Sequence, residues 1–140
     1  MGRILAIDYG RKRTGLAVTD TLQIIAGPLE TVPTEQLTEW LKRYVAREAV
    51  ERIIVGNPVL LNGNVSSMTK QYVAPFIRRL KTDYPDIEVI AADERFTSKM
   101  AVQAMLEGGM KKKDRRNKSN IDKLSAAILL QGYLESLKNV

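Results

Sequence analysis

The sequence has 140 residues, 44% of them hydrophobic and 27% charged, with a net charge of +6 and neither histidine nor cysteine. The missing residue types exclude Ser-His-Asp hydrolases, histidine-ligated zinc sites and disulfide frameworks. The length fits a single domain over residues 1–140, and the lack of a long apolar run or a secretory leader predicts a cytoplasmic protein with no membrane partner.

Three hairpin-linked strands are predicted at the start of the chain. Residues 4–7 form an apolar run of strand length, and residues 16–18 form a second run at hairpin distance. Residues 24–26 and 29–32 predict a third strand, which bends between its two halves.

Helices and strands then alternate. Thr34 is a candidate N-cap for the first helix, and Pro75 indicates either a kink in the second helix or a start nearer Ala74. The predicted ranges are 34–48 (helix), 51–56 (strand), 66–84 (helix), 87–94 (strand), 97–107 (helix) and 119–137 (a well-buried helix). This order predicts an α/β fold with a mixed five-stranded sheet and helices on its faces.

Acidic residues lie where strands or a buried helix are predicted. Asp8 ends the first strand, Asp93 and Glu94 end the fifth, and Asp122 falls in the first turn of the last helix. If the first and fifth strands run parallel, their acids emerge at the same carboxyl edge of the sheet. Because converging carboxylates repel one another, a hard cation such as Mg²⁺ is expected between them, and two such ions support in-line phosphoryl displacement.

Each acid also has a simpler interpretation. The role of Asp8 could be limited to capping the turn that follows it, through hydrogen bonds to its own backbone. Residues 119–122 form a capping-box pattern, in which Asp122 would satisfy backbone N–H groups. Alternation along a strand sends Asp93 and Glu94 to opposite faces, so at most one of them is expected to face Asp8.

Most of the excess positive charge lies in residues 111–118. Such a stretch is usually a solvated loop, but beside an acidic pocket it predicts contact with a nucleic-acid backbone. Its basic residues are Lys111, Lys112, Lys113, Arg115, Arg116 and Lys118.

Four segments, taken in order, resemble the YqgF/RuvX family, whose members are described as Holliday junction resolvases and as nucleases that process pre-16S ribosomal RNA. The segments are Ile7-Asp-Tyr-Gly-Arg-Lys-Arg-Thr-Gly-Leu-Ala-Val-Thr-Asp20, Val55-Gly-Asn-Pro58, Ala92-Asp-Glu-Arg-Phe-Thr-Ser98 and Ile121-Asp-Lys-Leu-Ser-Ala-Ala-Ile-Leu-Leu-Gln131.

The resemblance implies a ribonuclease H-like fold and selects Glu94 over Asp93. It implies that Asp8, Glu94 and Asp122 are catalytic acids that hold Mg²⁺ or Mn²⁺. Arg13 and Arg95 match basic positions beside these acids, and they are expected to grip the scissile phosphate because a guanidinium suits bidentate phosphate contact.

The leading hypothesis is therefore a metal-dependent nuclease that acts on structured RNA, in particular pre-16S ribosomal RNA in precursor particles, as a monomer or weak homodimer. A resolvase of branched DNA would use the same site. A non-catalytic nucleic-acid-binding factor is a different class, which the three acids disfavour because unneeded carboxylates weaken polyanion binding. A sugar-kinase or actin-like ATPase also opens with an Asp-x-Gly hairpin, but its nucleotide cleft needs two such domains.

Overall fold

The computed structural model describes residues 2–57, 69–93 and 117–138. The predicted helix over 97–107 and the basic residues 111–116 lie outside these ranges. Within them, the elements are strands β1 (Arg3–Asp8), β2 (Arg13–Thr19) and β3 (Ala26–Pro33), helix α1 (Leu37–Arg47), strand β4 (Val50–Asn57), helix α2 (Ala74–Asp83), strand β5 (Glu88–Asp93) and helix α3 (Lys118–Lys138).

The five strands form one mixed sheet in the order β3-β2-β1-β4-β5. Strand β2 pairs antiparallel with β1 and β3, whereas β4 pairs parallel with β1 and β5. The carboxyl ends of the three parallel strands therefore lie at one edge, where open α/β sheets place their functional sites. The residues that end these strands are Asp8, Asn57 and Asp93. The predicted mixed sheet is confirmed.

Strand β1 is central, and its side chains alternate between two hydrophobic clusters, one on each face of the sheet. Leu5 and Ile7 pack with α1 and α2 on one face. Ile4 and Ala6 pack with α3 on the other. A continuous apolar run suits this position because both faces of the strand are covered.

The loop between β2 and β3 differs from the prediction. Strand β3 begins at Ala26, so the assignment of Ile24 and Ile25 to a strand is wrong; their side chains are 58% and 68% exposed. The Asp20 carboxylate accepts hydrogen bonds from the backbone N–H groups of Leu22, Ile24 and Ile25, at 3.2, 2.9 and 2.8 Å. These bonds close a tight loop and draw the two isoleucines out of the strand ladder.

The entry to α1 also differs. A 3₁₀ turn, Thr34–Gln36, precedes the helix, and its N-cap position is held by Pro33 without a side-chain cap. The prediction that Thr34 caps the helix is therefore wrong, since its side chain bonds instead to the loop between β1 and β2.

The two later helices begin at well-defined residues. The regular helix α2 starts at Ala74, directly after a π-helical turn over Thr69–Val73, and Pro75 lies in its first turn, where proline is tolerated; the second of the two alternatives for this helix is confirmed. Asn117 Oδ1 accepts a hydrogen bond from the Ser119 N–H at 3.0 Å and caps α3. Asp122 therefore lies beyond the first turn, and its capping-box interpretation is wrong.

Across the described ranges, none of the helices combines the length and apolar content that a membrane span requires.

Candidate functional site

Asp8 lies at the carboxyl end of β1, partly buried between the sheet and solvent. It continues the two-residue period of Ile4 and Ala6, so it belongs to the face of the sheet that α3 covers. Its register partner on the antiparallel neighbour β2 is Gly15.

Asp122 reaches the same corner because α3 packs its backbone directly on Gly15. A Cβ added to Gly15 would overlap the carbonyl group of Asp122 and would lie 2.9 Å from the backbone nitrogen of Lys123. Only glycine permits this approach of helix to strand. Asp8 is the register partner of Gly15, and the backbone of Asp122 packs on Gly15. The structure therefore brings these two predicted acids to one corner of the fold.

Arg13 joins this corner from the start of β2. Its Nε donates to Asp122 Oδ2 at 2.8 Å, and the two side chains are 41% and 23% exposed. An ion pair with this exposure contributes only about 0–1 kcal/mol. Breaking this ion pair therefore costs little stability.

An open groove of about 530 Å³ lies beside the ion pair. It is lined by the loop Gly10, Arg11, Lys12 and Arg13 and by Asp122. Three consecutive cations therefore border a carboxylate, an arrangement that attracts a polyanion to an acidic centre. Arg11 and Lys12 complete this cationic rim, although the sequence analysis named only Arg13 from this loop.

Thr34 fixes the loop that carries these cations. Its backbone N–H donates to the Lys12 carbonyl at 2.9 Å, and its hydroxyl donates to the Gly10 carbonyl at 2.6 Å. The same hydroxyl lies 2.9 Å from Oγ1 of the buried Thr14. A Cβ on Gly10 would collide with the Arg13 carbonyl oxygen, so the turn also requires glycine there. Sequence reasoning missed this role of Thr34, since no local pattern marks a long-range hydrogen bond.

The remaining predicted site residues fall outside the described part of the chain, except Lys118, which is the first residue of α3. Those outside are Glu94, Arg95, Lys111, Lys112, Lys113, Arg115 and Arg116. Across residues 2–57, 69–93 and 117–138, no group of three acidic side chains is placed to hold a metal ion. Of the three predicted catalytic acids, Asp8 and Asp122 are thus the two whose positions the structure describes.

The donor chemistry at this corner nevertheless fits a hard divalent cation. Mg²⁺ takes oxygen ligands and is commonly held by one or two carboxylates together with substrate phosphates. Asp8 and Asp122 supply such oxygens beside a groove that is open to solvent. At the same edge, the buried Oδ1 of Asn57 has no hydrogen-bond partner among the described residues.

Comparisons with known proteins agree with this architecture. The chain is 58% identical over 140 residues to a protein of Phocaeicola vulgatus named "Putative pre-16S rRNA nuclease", with 100% of each chain covered. It is 56% identical over 136 residues to a Bacteroides fragilis protein of the same name, covering 97% of this chain and 98% of the relative.

Among solved structures, the chain resembles Thermus thermophilus RuvC, which was determined in complex with a Holliday junction substrate. The TM-score is 0.57 at 20% identity, and the match covers 99% of this chain and 96% of RuvC. This likeness confirms the ribonuclease H-like fold. Residues 2–136 match the family model described as "RuvX: Holliday junction resolvase", and the chain therefore belongs to the RuvX family.

Proposed function

We propose that this protein is a divalent-metal-dependent nuclease that hydrolyses phosphodiester bonds in pre-16S ribosomal RNA. The observation that carries the proposal is the packing of Asp122 against Gly15, the strand partner of Asp8, beside the cations of residues 11–13. Two carboxylates next to a cationic groove match the needs of phosphodiester cleavage. The names of the P. vulgatus and B. fragilis relatives support the RNA substrate.

In this proposal Asp8, Asp122 and Glu94 hold Mg²⁺ or Mn²⁺. The bound ion supplies charge neutralisation at the phosphate and lowers the pKa of a water nucleophile. In the sequence, Glu94 continues the two-residue period of Ile90 and Ala92, which pack with the cluster on the α3 face. That period supports Glu94, rather than Asp93, as the third ligand.

The basic side chains hold the substrate. Arg13 exchanges its ion pair with Asp122 for a contact with the scissile phosphate, and Arg11 and Lys12 bind neighbouring phosphates. Arg95 and the basic residues between 111 and 118 extend this contact along the strand. We further propose that the protein acts in the cytoplasm, on precursor ribosomal particles, as a monomer or weak homodimer.

Branched DNA is the second candidate substrate, because the family model is described as a Holliday junction resolvase. The acids and the cationic groove would serve either polyanion, since both present phosphodiesters. The two functions therefore differ in the substrate that is cut and not in the chemistry.

The test is cleavage of labelled pre-16S RNA ends, plain single-stranded RNA and DNA, and a four-way DNA junction. Each is incubated with Mg²⁺, with Mn²⁺ or with EDTA. The proteins compared are the wild type, Asp8→Asn, and Asp86→Asn, a control at an exposed turn acid.

The proposal expects the RNA ends to be cut only when metal is present. Asp8→Asn should reduce this cutting at least about a hundredfold, and Asp86→Asn should leave it unchanged. Preferential cutting of the junction would select the resolvase. Binding without cutting, unaffected by Asp8→Asn, would overturn the enzyme and leave a binding factor.

A further inference from the structure

A second groove is lined in part by Tyr9, the residue before the loop that carries the cations. It has a volume of about 200 Å³ and is lined by Tyr9, Gln71, Tyr72, Pro75, Phe76 and Arg79. Three aromatic rings and a guanidinium in one groove form a surface suited to a flat, electron-rich ligand.

The aromatic rings are arranged in contact. Tyr9 and Phe76 stack with their centroids 4.6 Å apart and an interplanar angle of 30°. The guanidinium carbon of the exposed Arg11 lies 5.1 Å from the centroid of the Tyr72 ring. The exposed Arg11 side chain therefore covers one face of the Tyr72 ring, and a base that stacks on this face displaces it.

This cluster differs from an ordinary core pair. Trp40 and Tyr44 also stack, at 4.9 Å, but both are buried in the hydrophobic core. Tyr9, Tyr72 and Phe76 are only partly buried, and the exposed Arg79 borders them.

The aromatic groove adjoins the candidate catalytic corner through the chain itself. Asp8 and Tyr9 are consecutive, with Asp8 on the α3 face of the sheet and Tyr9 packed with the cluster on the α2 face. Arg11 lines the cationic groove and also lies over Tyr72. A strand whose phosphates contact residues 11–13 would therefore carry an adjacent base toward the aromatic rings.

We infer that the aromatic groove stacks one unpaired nucleobase of the substrate, next to the phosphodiester held by the cationic loop. This inference rests on the proposed nuclease function and narrows its substrate class. A base inside a continuous duplex is stacked between its neighbours and cannot enter the groove. The preferred substrate is therefore a strand with at least one unpaired nucleotide beside the cleaved bond.

The experiment measures binding in EDTA, where no cleavage occurs. The probe is an oligo-uridine strand that contains one 2-aminopurine, a fluorescent adenine analogue quenched when it stacks on an aromatic ring. The second probe carries the same 2-aminopurine paired inside a duplex. The variants are Tyr72→Leu, Tyr72→Phe and Arg79→Gln, and Arg78→Gln is the matched control because Arg78 is exposed on the same helix but does not line the groove.

The inference expects wild type, Tyr72→Phe and Arg78→Gln to quench the single-stranded probe. Tyr72→Leu should lose the quenching and bind about tenfold more weakly, since stacking of a base on an aromatic side chain is worth about 1–3 kcal/mol. Arg79→Gln should weaken binding to a smaller extent. Circular dichroism and thermal unfolding show whether each variant remains folded.

Two results would overturn the inference. One is equal quenching of the single-stranded probe by wild type and by a folded Tyr72→Leu variant. The other is a loss of affinity in Tyr72→Leu that is equal for the single-stranded and the duplex probe. Because the readout needs no metal, failure of stacking while RNA cleavage persists would reject this inference alone. Quenching without any cleavage would instead reject the proposed nuclease.

Discussion

Gly15 and Asp122 are in direct backbone contact, so that a Cβ on Gly15 would overlap the Asp122 carbonyl group. Gly15 is also the register partner of Asp8. One glycine thus sets the separation between the strand that carries one acid and the helix that carries the other. The geometry of the candidate site depends on this close packing as much as on the carboxylates themselves.

Replacing Gly15 by alanine should push α3 away from β2. We expect Gly15→Ala to lower the free energy of unfolding by about 1–3 kcal/mol, the usual cost of overpacking, and to reduce nuclease activity further than this loss of folded protein explains. Urea unfolding measures the first effect, and cleavage at a temperature where the variant is folded measures the second.

Gly132→Ala is the control, because Gly132 lies within α3 and, beyond its chain neighbours and the helix's own backbone, no heavy atom of the described residues lies within 4 Å of the added Cβ. It should stabilise the protein by about 0.5–1 kcal/mol, since alanine loses less conformational freedom in a helix. A Gly15→Ala protein with wild-type stability and activity would contradict the close packing described above.

The ion pair between Arg13 and Asp122 gives a prediction that separates stability from binding. Arg13→Gln should change the free energy of unfolding by less than about 1 kcal/mol, because the pair is partly exposed. It should weaken RNA binding and reduce the slope of log affinity against log salt by about one, as expected when one phosphate contact is lost. Filter binding over a range of salt concentrations provides the measurement.

The same substitution at Arg43, an exposed position on α1, serves as the control. The two variants should be equally stable, but only Arg13→Gln should alter the salt slope. If both alter it equally, the effect comes from net charge and Arg13 has no specific phosphate contact.

The sheet was predictable because each strand is marked locally. The apolar runs around residues 4–7, 51–56 and 87–94 are of strand length, and the segments between them are long enough for crossover connections. The carboxyl-edge position of Asp8 follows from this order without any knowledge of tertiary contacts.

Specific hydrogen bonds made by polar side chains, whether distant or local, were not predictable in the same way. Thr34 has a typical N-cap side chain, yet its hydroxyl bonds to Gly10, which no local pattern could indicate. Ile24 and Ile25 extend an apolar run, but their two backbone hydrogen bonds to the Asp20 carboxylate hold them in a loop. In both cases a specific hydrogen bond overrides the secondary structure that a short stretch of sequence predicts.

Asp20 should make stability depend on pH. Its hydrogen bonds from Ile25 and Ile24, in that order of effect, lower its pKa below the ordinary value of 3.8. A lowered pKa in the folded state contributes stability that is fully present above the unfolded-state pKa and is lost as the pH falls through the folded-state value. We therefore expect the difference in urea midpoint between wild type and Asp20→Ala to be constant near neutral pH and to shrink below about pH 4.

Asp86→Ala, at an exposed turn, should leave the urea midpoint nearly unchanged across the same pH range. A difference between wild type and Asp20→Ala that persists undiminished at the lowest pH would show that the carboxylate charge does not hold the loop. NMR titration of the Asp20 carboxyl in the wild type gives the direction of the pKa shift independently.

Thr34 should act on RNA binding through the loop that it holds. Thr34→Val keeps the shape of the side chain but removes the hydroxyl that bonds to Gly10 and contacts Thr14, so we expect a loss of about 1–3 kcal/mol in stability and weaker RNA binding as residues 10–13 loosen. Thr34→Ser retains the hydroxyl and should restore binding, whereas Thr38→Val, at an exposed position on α1, should change neither property. If folded Thr34→Val binds RNA with wild-type affinity and salt dependence, the loop does not need this anchor to present its cations.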